Sequence, residues 1–245
     1  MYPNMAYRPS NSLPAKVARF MYSRVFAPSI IRYVKKDRTY RYGKYSLKVL
    51  AGVFHPGLFF STSFLFQYLN GLSVKDKLCL EVGCGSGLLS LQLAGKGGHV
   101  TAIDINPLAV KNTLYNLEQN QVLIHQPMRV IQSDLFDALK NEKFDLVVIN
   151  PPYYFAEPRN ISEHAWYCGS EGQYFVRLFE GLTSHLKTKA EVVMSLSDKC
   201  DISRIEALAH QQNLKLQEIR RKSYWGELNF IFRVIGPETP VPSTN

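Results

Sequence analysis

Directly after the apolar run FDLVV the chain reads Asn150-Pro151-Pro152-Tyr153: an uncharged amide, two rigid residues and an aromatic ring. Proline has no N–H to give to a sheet ladder, so a buried strand must end at or before Asn150. Such an exit is either an ordinary strand-to-loop passage or a rigid pocket that grips a planar NH2 group. A second cluster lies upstream. The stretch LEVGCGSGLLS, from Leu80 to Ser90, sets Gly83, Gly85 and Gly87 at alternate positions just past an apolar strand. Lacking Cβ atoms, that backbone can turn tightly and come close to a ligand. The spacing is G-x-G-x-G, not the dinucleotide G-x-G-x-x-G, and Glu81 stands before the first glycine. A carboxylate there would repel a pyrophosphate at a helix N-terminus but would tolerate a cationic ligand. A nicotinamide oxidoreductase is therefore disfavoured. Two further acids end apolar segments. Asp104 either accepts hydrogen bonds from both hydroxyls of a ribose or caps the helix starting at Pro107. Asp134, in QSDLF, either reads a base edge or caps another helix.

These residues need elements to hold them in place. From Lys77 onward the pattern is regular. Strands are predicted at LCLEVG, HVTAIDI, MRVIQSD, FDLVVIN, EVVMSLS and LNFIFRVI, and helices at LLSLQLAGK, PLAVKNTLYNLEQN, GQYFVRLFEGLTSHL and DISRIEALAHQQN. Strands alternating with helices of this length imply an α/β fold, a mostly parallel sheet covered on both faces. LNFIFRVI follows YWGE closely and reads as an antiparallel edge strand. Upstream, SFLFQYLNGL reads as a short helix, RTYRYGKYSLKVL as a strand pair around Gly43, and LPAKVARFMYSRVF as a helix. The expected division is a basic N-terminal arm over 1–50, a main domain over 51–236 and a disordered tail over 237–245.

Composition narrows the classes. Residues 1–50 hold eleven Lys/Arg against one acid, Asp37, whereas the remaining 195 hold 18 basic and 19 acidic side chains. A nearly neutral body thus carries a basic arm. RYVKKDRTYRYGKY interleaves cations with tyrosines, a pattern suited to phosphate contact and base stacking. An anchor on anionic lipid, an organelle transit peptide, and a helix packed on the domain are other readings of the arm. No apolar run is long enough to span a membrane. Cys79, Cys84, Cys168 and Cys200 form no C-x-x-C pair and no zinc-type spacing with histidines, which implies a reducing, cytoplasmic setting and no metal.

The glycine loop with Glu81, Asp104 and Asp134 resembles the Rossmann-like class of S-adenosylmethionine-dependent methyltransferases over roughly residues 75–235, which implies a seven-stranded sheet. The resemblance implies that Glu81, Gly83, Cys84, Gly85 and Gly87 hold the methionine part of S-adenosyl-L-methionine. It gives Asp104 the ribose and Asp134 the adenine, and places Ile105, Leu135 and Asn150 also against the cofactor. Asn150-Pro151-Pro152-Tyr153 resembles the [N/D]-P-P-[Y/F/W] signature of enzymes that methylate a nitrogen conjugated to a planar group. The Asn150 side-chain oxygen and the Pro151 carbonyl can each accept one N–H of the target. Pro152 stiffens the loop, and Tyr153 offers a face for the planar group. The donor sulfonium loses its charge during transfer, so positioning and fixed dipoles carry the catalysis.

EHAWYCGSEGQYFVRLFEGL resembles the A-W-x-G-G-x-x-G segment of HemK-like glutamine methyltransferases, which modify the Gln of a G-G-Q motif in translation release factors. Trp166, Gly169 and Gly172 match, and Cys168 stands where that family has glycine. VFHPGLFFST resembles the segment before the glycine loop, with Thr62 facing the cofactor and Ser61 replacing the usual acid. A protein glutamine N5 is the leading acceptor. The alternatives are adenine N6 or guanine N2 of RNA or DNA, with the arm on nucleic acid or the ribosome, and a non-catalytic module that only binds S-adenosylmethionine.

Overall fold

The structure, a computed structural model, describes residues 34–224 and 226–236. The helix expected within residues 13–26 and the tail from 237 lie outside them. The strand pair is present as β1 (Arg38–Tyr42) and β2 (Tyr45–Val49), an antiparallel hairpin turning at Gly43 with φ near +54°. Tyr45, Leu47 and Val49 point inward from β2 and are buried. α1 (Phe60–Asn70) follows, stopped at Gly71.

The alternating part then runs β3 (Leu78–Val82), α2 (Leu88–Ala94), β4 (His99–Asp104), α3 (Pro107–Gln119), β5 (Met128–Gln132), β6 (Phe144–Ile149), α4 (Gln173–Leu182), β7 (Leu186–Ser197), α5 (Ile202–Gln211), β8 (Lys215–Tyr224) and β9 (Glu227–Ile235). All seven strands from β3 onward form one sheet, in the order β5-β4-β3-β6-β7-β9-β8. β3 to β7 are mutually parallel, and β9 pairs antiparallel with both β7 and β8. The expected antiparallel strand therefore exists but sits one place in from the edge. The edge strand is β8. Its sequence KLQEIRRKSY is mostly exposed and charged, so it carries no apolar signal, yet such charges suit a strand with one unpaired side.

Both faces of the sheet are covered. Leu80, Val82, Val147, Ile149 and Met194 look into a core closed by Phe175 and Phe179 of α4 and Ile205 of α5. Cys79, Leu146, Val148 and Val193 look the other way, toward Leu65 and Leu69 of α1 and Leu91 of α2. Interior parallel strands are buried on both faces, which is why LCLEV and FDLVVI read as mainly apolar runs, each interrupted by one acid, Glu81 and Asp145. From β3 the chain steps outward through β4 to β5, then returns to place β6 on the other side of β3. That reversal opens a crevice at the carboxyl ends of β3 and β6, where open α/β sheets bind ligands. Val82 and Ile149 are register partners there. The glycine loop and Asn150 thus leave the sheet side by side.

Candidate functional site

One cleft at this crevice is lined by Thr62, Glu81, Gly83, Cys84, Gly85, Asp104, Ile105, Asp134, Leu135 and Asn150 through Tyr153. Residues spread over 92 positions of sequence converge on it because strands β3, β4, β5 and β6 all end at the same edge of the sheet.

Gly83, Gly85 and Gly87 have φ values of +78°, +54° and +84°, the left-handed region that glycine enters at no steric cost. Their roles differ. A Cβ on Gly83 would meet nothing within 4 Å, so the backbone there faces open space. A Cβ on Gly87 would lie 2.8 Å from Thr113 Cγ2. Gly87 is not among the residues lining the cleft; it lets the start of α2 pack against α3.

Glu81 is buried at 3% exposure, and the Ser90 hydroxyl donates to its Oε2. Burial pushes its carboxyl up to about 8, partly offset by Ser90 and reinforced by the Asp104 charge. At neutral pH it is a protonated acid until a cation arrives. Asp104 is also raised by burial, while two backbone amides oppose the shift: Gly85 N donates to Oδ2 at 2.9 Å and Asn106 N to Oδ1 at 2.9 Å. The helix cap is Asn106, whose Oδ1 accepts from Leu108 N at 3.0 Å. Capping is therefore not the work of Asp104; it clamps the glycine loop. Asp134 starts a turn, not a helix, and pairs with Arg177 of α4 at 2.5 Å.

Asn150 is held from two sides. Its Nδ2 donates to Thr62 Oγ1 at 3.1 Å, and Ser195 Oγ donates to its Oδ1 at 2.7 Å. Tyr153 is buried and edge-on to Tyr154, with centroids 4.9 Å apart. Burial raises its hydroxyl above the usual range, while the Ser197 hydroxyl hydrogen-bonds to it. The loop after Tyr153 zips to the Trp166–Gly169 segment: Tyr154 N donates to Trp166 O and Cys168 N to Tyr154 O, both at 3.0 Å. Cys168 is a buried thiol whose Sγ donates to Tyr154 O. Trp166, which lines the cleft together with Phe54, packs against Phe54 and Phe59 at 5.1 and 4.8 Å between centroids.

Several residues that support or line the cleft carry no motif. Ser195, Ser197 and Ser90 are hydroxyls inside apolar runs, and the alternation in MSLS is the one readable hint of a polar strand end. Tyr174 lines the cleft and its buried hydroxyl has no hydrogen-bond partner among the described residues. A buried unpaired donor costs free energy unless a ligand meets it. Together with the open face at Gly83 and the acids Glu81 and Asp104, it fits a ligand bearing a cation, hydroxyls and a planar ring, as S-adenosylmethionine does. Among the described residues no three His, Cys, Asp or Glu side chains gather as a metal site, and the four cysteines are unpaired. No helix among them is long and apolar enough to cross a membrane.

The strand order and the cleft between β3 and β6 define the Rossmann-like class I methyltransferase fold. Residues 44–166, half of the chain, match the methyltransferase small domain family, and the chain belongs to that family. It is 38% identical over 99 residues to the release factor glutamine methyltransferase of Salmonella typhimurium, covering 40% of this chain and 35% of that one. It is 36% identical over 117 residues to Methyltransferase HEMK2 of Homo sapiens, covering 45% and 54%. The chain thus spans about half, or less, of the length of these relatives. Among solved structures, that of the E. cuniculi Mtq2–Trm112 complex superposes with a TM-score of 0.55 at 20% identity, covering 76% of this chain and 99% of that one. At that identity the likeness is one of fold.

Proposed function

We propose that this protein is an S-adenosylmethionine-dependent N-methyltransferase, cytoplasmic, whose acceptor is the side-chain amide of a protein glutamine in a translation release factor. The observation that carries it is the placement of Asn150. It leaves β6 in register with the end of β3, so the amide-gripping motif opens into the same cleft as the glycine loop. When bound, S-adenosylmethionine supplies an electrophilic methyl group on a cationic sulfur. Everything else falls to residues of this chain. Glu81, Gly83, Cys84 and Gly85 hold the donor's methionine end; Asp104 and Ile105 hold the ribose; Asp134 and Leu135 hold the adenine. Asn150 Oδ1 and the Pro151 carbonyl accept the two N–H groups of the target amide. Its delocalised lone pair is then steered out of the amide plane toward the methyl carbon. Tyr153 walls the pocket, and Trp166 with Phe54 and Phe59 excludes water.

The relatives named for glutamine methylation favour a protein acceptor, and the basic segment 1–50 suits contact with ribosomal RNA near it. Residues 51–236 form the catalytic body in this reading. Incubation of the full chain with tritiated S-adenosylmethionine and purified release factor should label a Gly-Gly-Gln glutamine. Label that is lost on ribonuclease treatment of an extract, with none in release factor, would overturn the protein acceptor in favour of a nucleic-acid base. An isolated chain that binds S-adenosylmethionine but labels neither fraction would point to a binding module.

A further inference from the structure

Asn150 carries an acceptor at one end of its amide and a donor at the other, and only the oxygen can receive an N–H of the target. A side chain free to rotate by half a turn would present the wrong end half of the time. Two buried hydroxyls stand at its ends. Ser195 lies on β7 and is fully buried, and Thr62 lies in the first turn of α1 at 4% exposure. Ser195 follows Met194, the register partner of Ile149, so its hydroxyl reaches Asn150 from the adjacent strand. Thr62 reaches it from the helix layer above.

The two distances assign the polarity. At 2.7 Å the Ser195 contact has the length of an O–H···O bond, and at 3.1 Å the Thr62 contact has that of an N–H···O bond. Oδ1 therefore faces Ser195 and the NH2 faces Thr62. One of the two lone pairs of Oδ1 is taken by Ser195 and one remains; one N–H of the amide is taken by Thr62. Ser195 does not line the cleft, so it touches neither donor nor acceptor.

We infer that Ser195 and Thr62 act as a two-sided clamp that fixes the orientation of the Asn150 amide, with Ser195 a positioning residue for methyl transfer. This rests on the N-methyltransferase reading above. The clamp also selects the acceptor: with its orientation fixed, the site presents an acceptor oxygen to the target and so takes a group that brings N–H, as an amide or exocyclic amine does. Ser195 comes from the sheet and Thr62 from α1, so the seating of α1 on β7 is coupled to the readiness of the site.

The test uses the full chain, tritiated S-adenosylmethionine and a synthetic peptide containing Gly-Gly-Gln. Ser195→Thr and Ser195→Val share the same added bulk and differ only in the hydroxyl, so their difference reports the hydrogen bond and not the packing. Ser195→Val should lower kcat about 100-fold, the scale of a misplacement of reacting groups by about 1 Å. Ser195→Thr should recover most of that loss. In both variants the dissociation constant for S-adenosylmethionine, measured by calorimetry, should stay within about twofold of the unsubstituted protein. Thr62→Val and Thr62→Ser should behave as a second such pair in kcat. In parallel, nitrogen-15 spectra follow the Asn150 side-chain NH2 protons, identified by their absence in Asn150→Asp. Their hydrogen exchange should be protected in the unsubstituted protein and in Ser195→Thr, and accelerated in Ser195→Val and Thr62→Val. Equal kcat in Ser195→Val and Ser195→Thr would overturn the clamp. A peptide left unlabelled by the unsubstituted protein would count against the glutamine reading, and the exchange measurement would then decide the clamp alone: unchanged protection in both valine variants rejects it, and lost protection supports it.

Discussion

Glu81 occupies the place where the sequence calls for a charge, yet burial holds it neutral near pH 7, with its carboxyl at about 8. A positively charged ligand beside it would favour the ionised form, so binding must expel a proton at neutral pH. Affinity for S-adenosylmethionine should therefore rise between about pH 6 and about pH 8, by up to about tenfold per unit, and level off above. Calorimetry in two buffers of different ionisation enthalpy should register the released proton, and Glu81→Gln should abolish both effects. The same shift sets a stability slope in the free protein. The folded state binds the proton more tightly than the unfolded chain, whose ordinary value is 4.5. The contribution of Glu81 is thus present in full below that value and lost as pH rises through about 8. Chemical denaturation at several pH values should show the free protein weakening over that window, and Glu81→Gln should flatten the trend. Asn150→Ala makes a separate prediction. In the proposed reading it removes an interaction made with the acceptor and not with the donor, so kcat should fall by about 1,000-fold or more while calorimetric donor affinity stays nearly constant.

Among the elements, the hairpin is fastened to the body by three asparagines on one face of α3. Asn112, Asn116 and the helix-ending Asn120 are buried and spaced four residues apart, one helical turn each. Their Oδ1 atoms accept from the backbone N–H groups of Leu50, Lys48 and Ser46 at 2.8, 2.8 and 3.1 Å. Their NH2 groups donate back to Lys48 O and Ser46 O. Side-chain amides thus stand in for the neighbouring strand that β2 lacks on this side. Asn116 additionally donates to Ser86 O at 2.8 Å, tying hairpin and glycine loop to one residue. Asn116→Ala should cost about 3 kcal/mol in urea unfolding, since it leaves buried backbone groups unpaired, and should speed amide exchange in β2. Gly87→Ala should cost about 1–3 kcal/mol in the same measurement, because a left-handed backbone and a Cβ against Thr113 are both unfavourable. At this scale the sequence is uneven as a guide. β3, β6 and α4 are legible because burial on both faces or one face leaves apolar runs of the right period. β8 is not, because an exposed edge strand has no such run, and β9 looks like an edge only while β8 goes unseen. In the site, the glycine loop and Asn150-Pro151-Pro152-Tyr153 announce themselves by rare combinations of residue types. Ser195, Arg177 and Tyr174 do not, because a serine in an apolar strand or an arginine on a helix gains its role only from what the fold places opposite it. The asparagine spacing in KNTLYNLEQN was open to inspection, but three amides on a helix face ordinarily mean a solvated surface.

For the molecule as a whole, charge is distributed by position along the chain. Residues 1–33 contain five cations, Arg8, Lys16, Arg19, Arg24 and Arg32, and no acid, and they lie outside the described residues. The body beyond residue 50 is close to neutral, so long-range attraction to a polyanion would come from the N-terminal segment and not from the cleft. Contact with RNA through cations releases condensed counterions, and for single strands the logarithm of affinity falls with the logarithm of salt by about 0.7 per neutralised phosphate. Replacing the five cations by glutamine in the full chain should therefore lower the magnitude of that slope by up to about 3.5 in filter binding to single-stranded RNA. Methyl transfer to free release factor should change little, because the donor and acceptor groups of the cleft are untouched. If the factor is instead presented on ribosomes, the same five substitutions should raise its apparent KM most at low salt. That difference between free and ribosome-bound acceptor separates an arm that delivers the enzyme from one that merely packs on it. An unchanged slope with unchanged KM on both forms of the acceptor would remove RNA contact from the function of this segment.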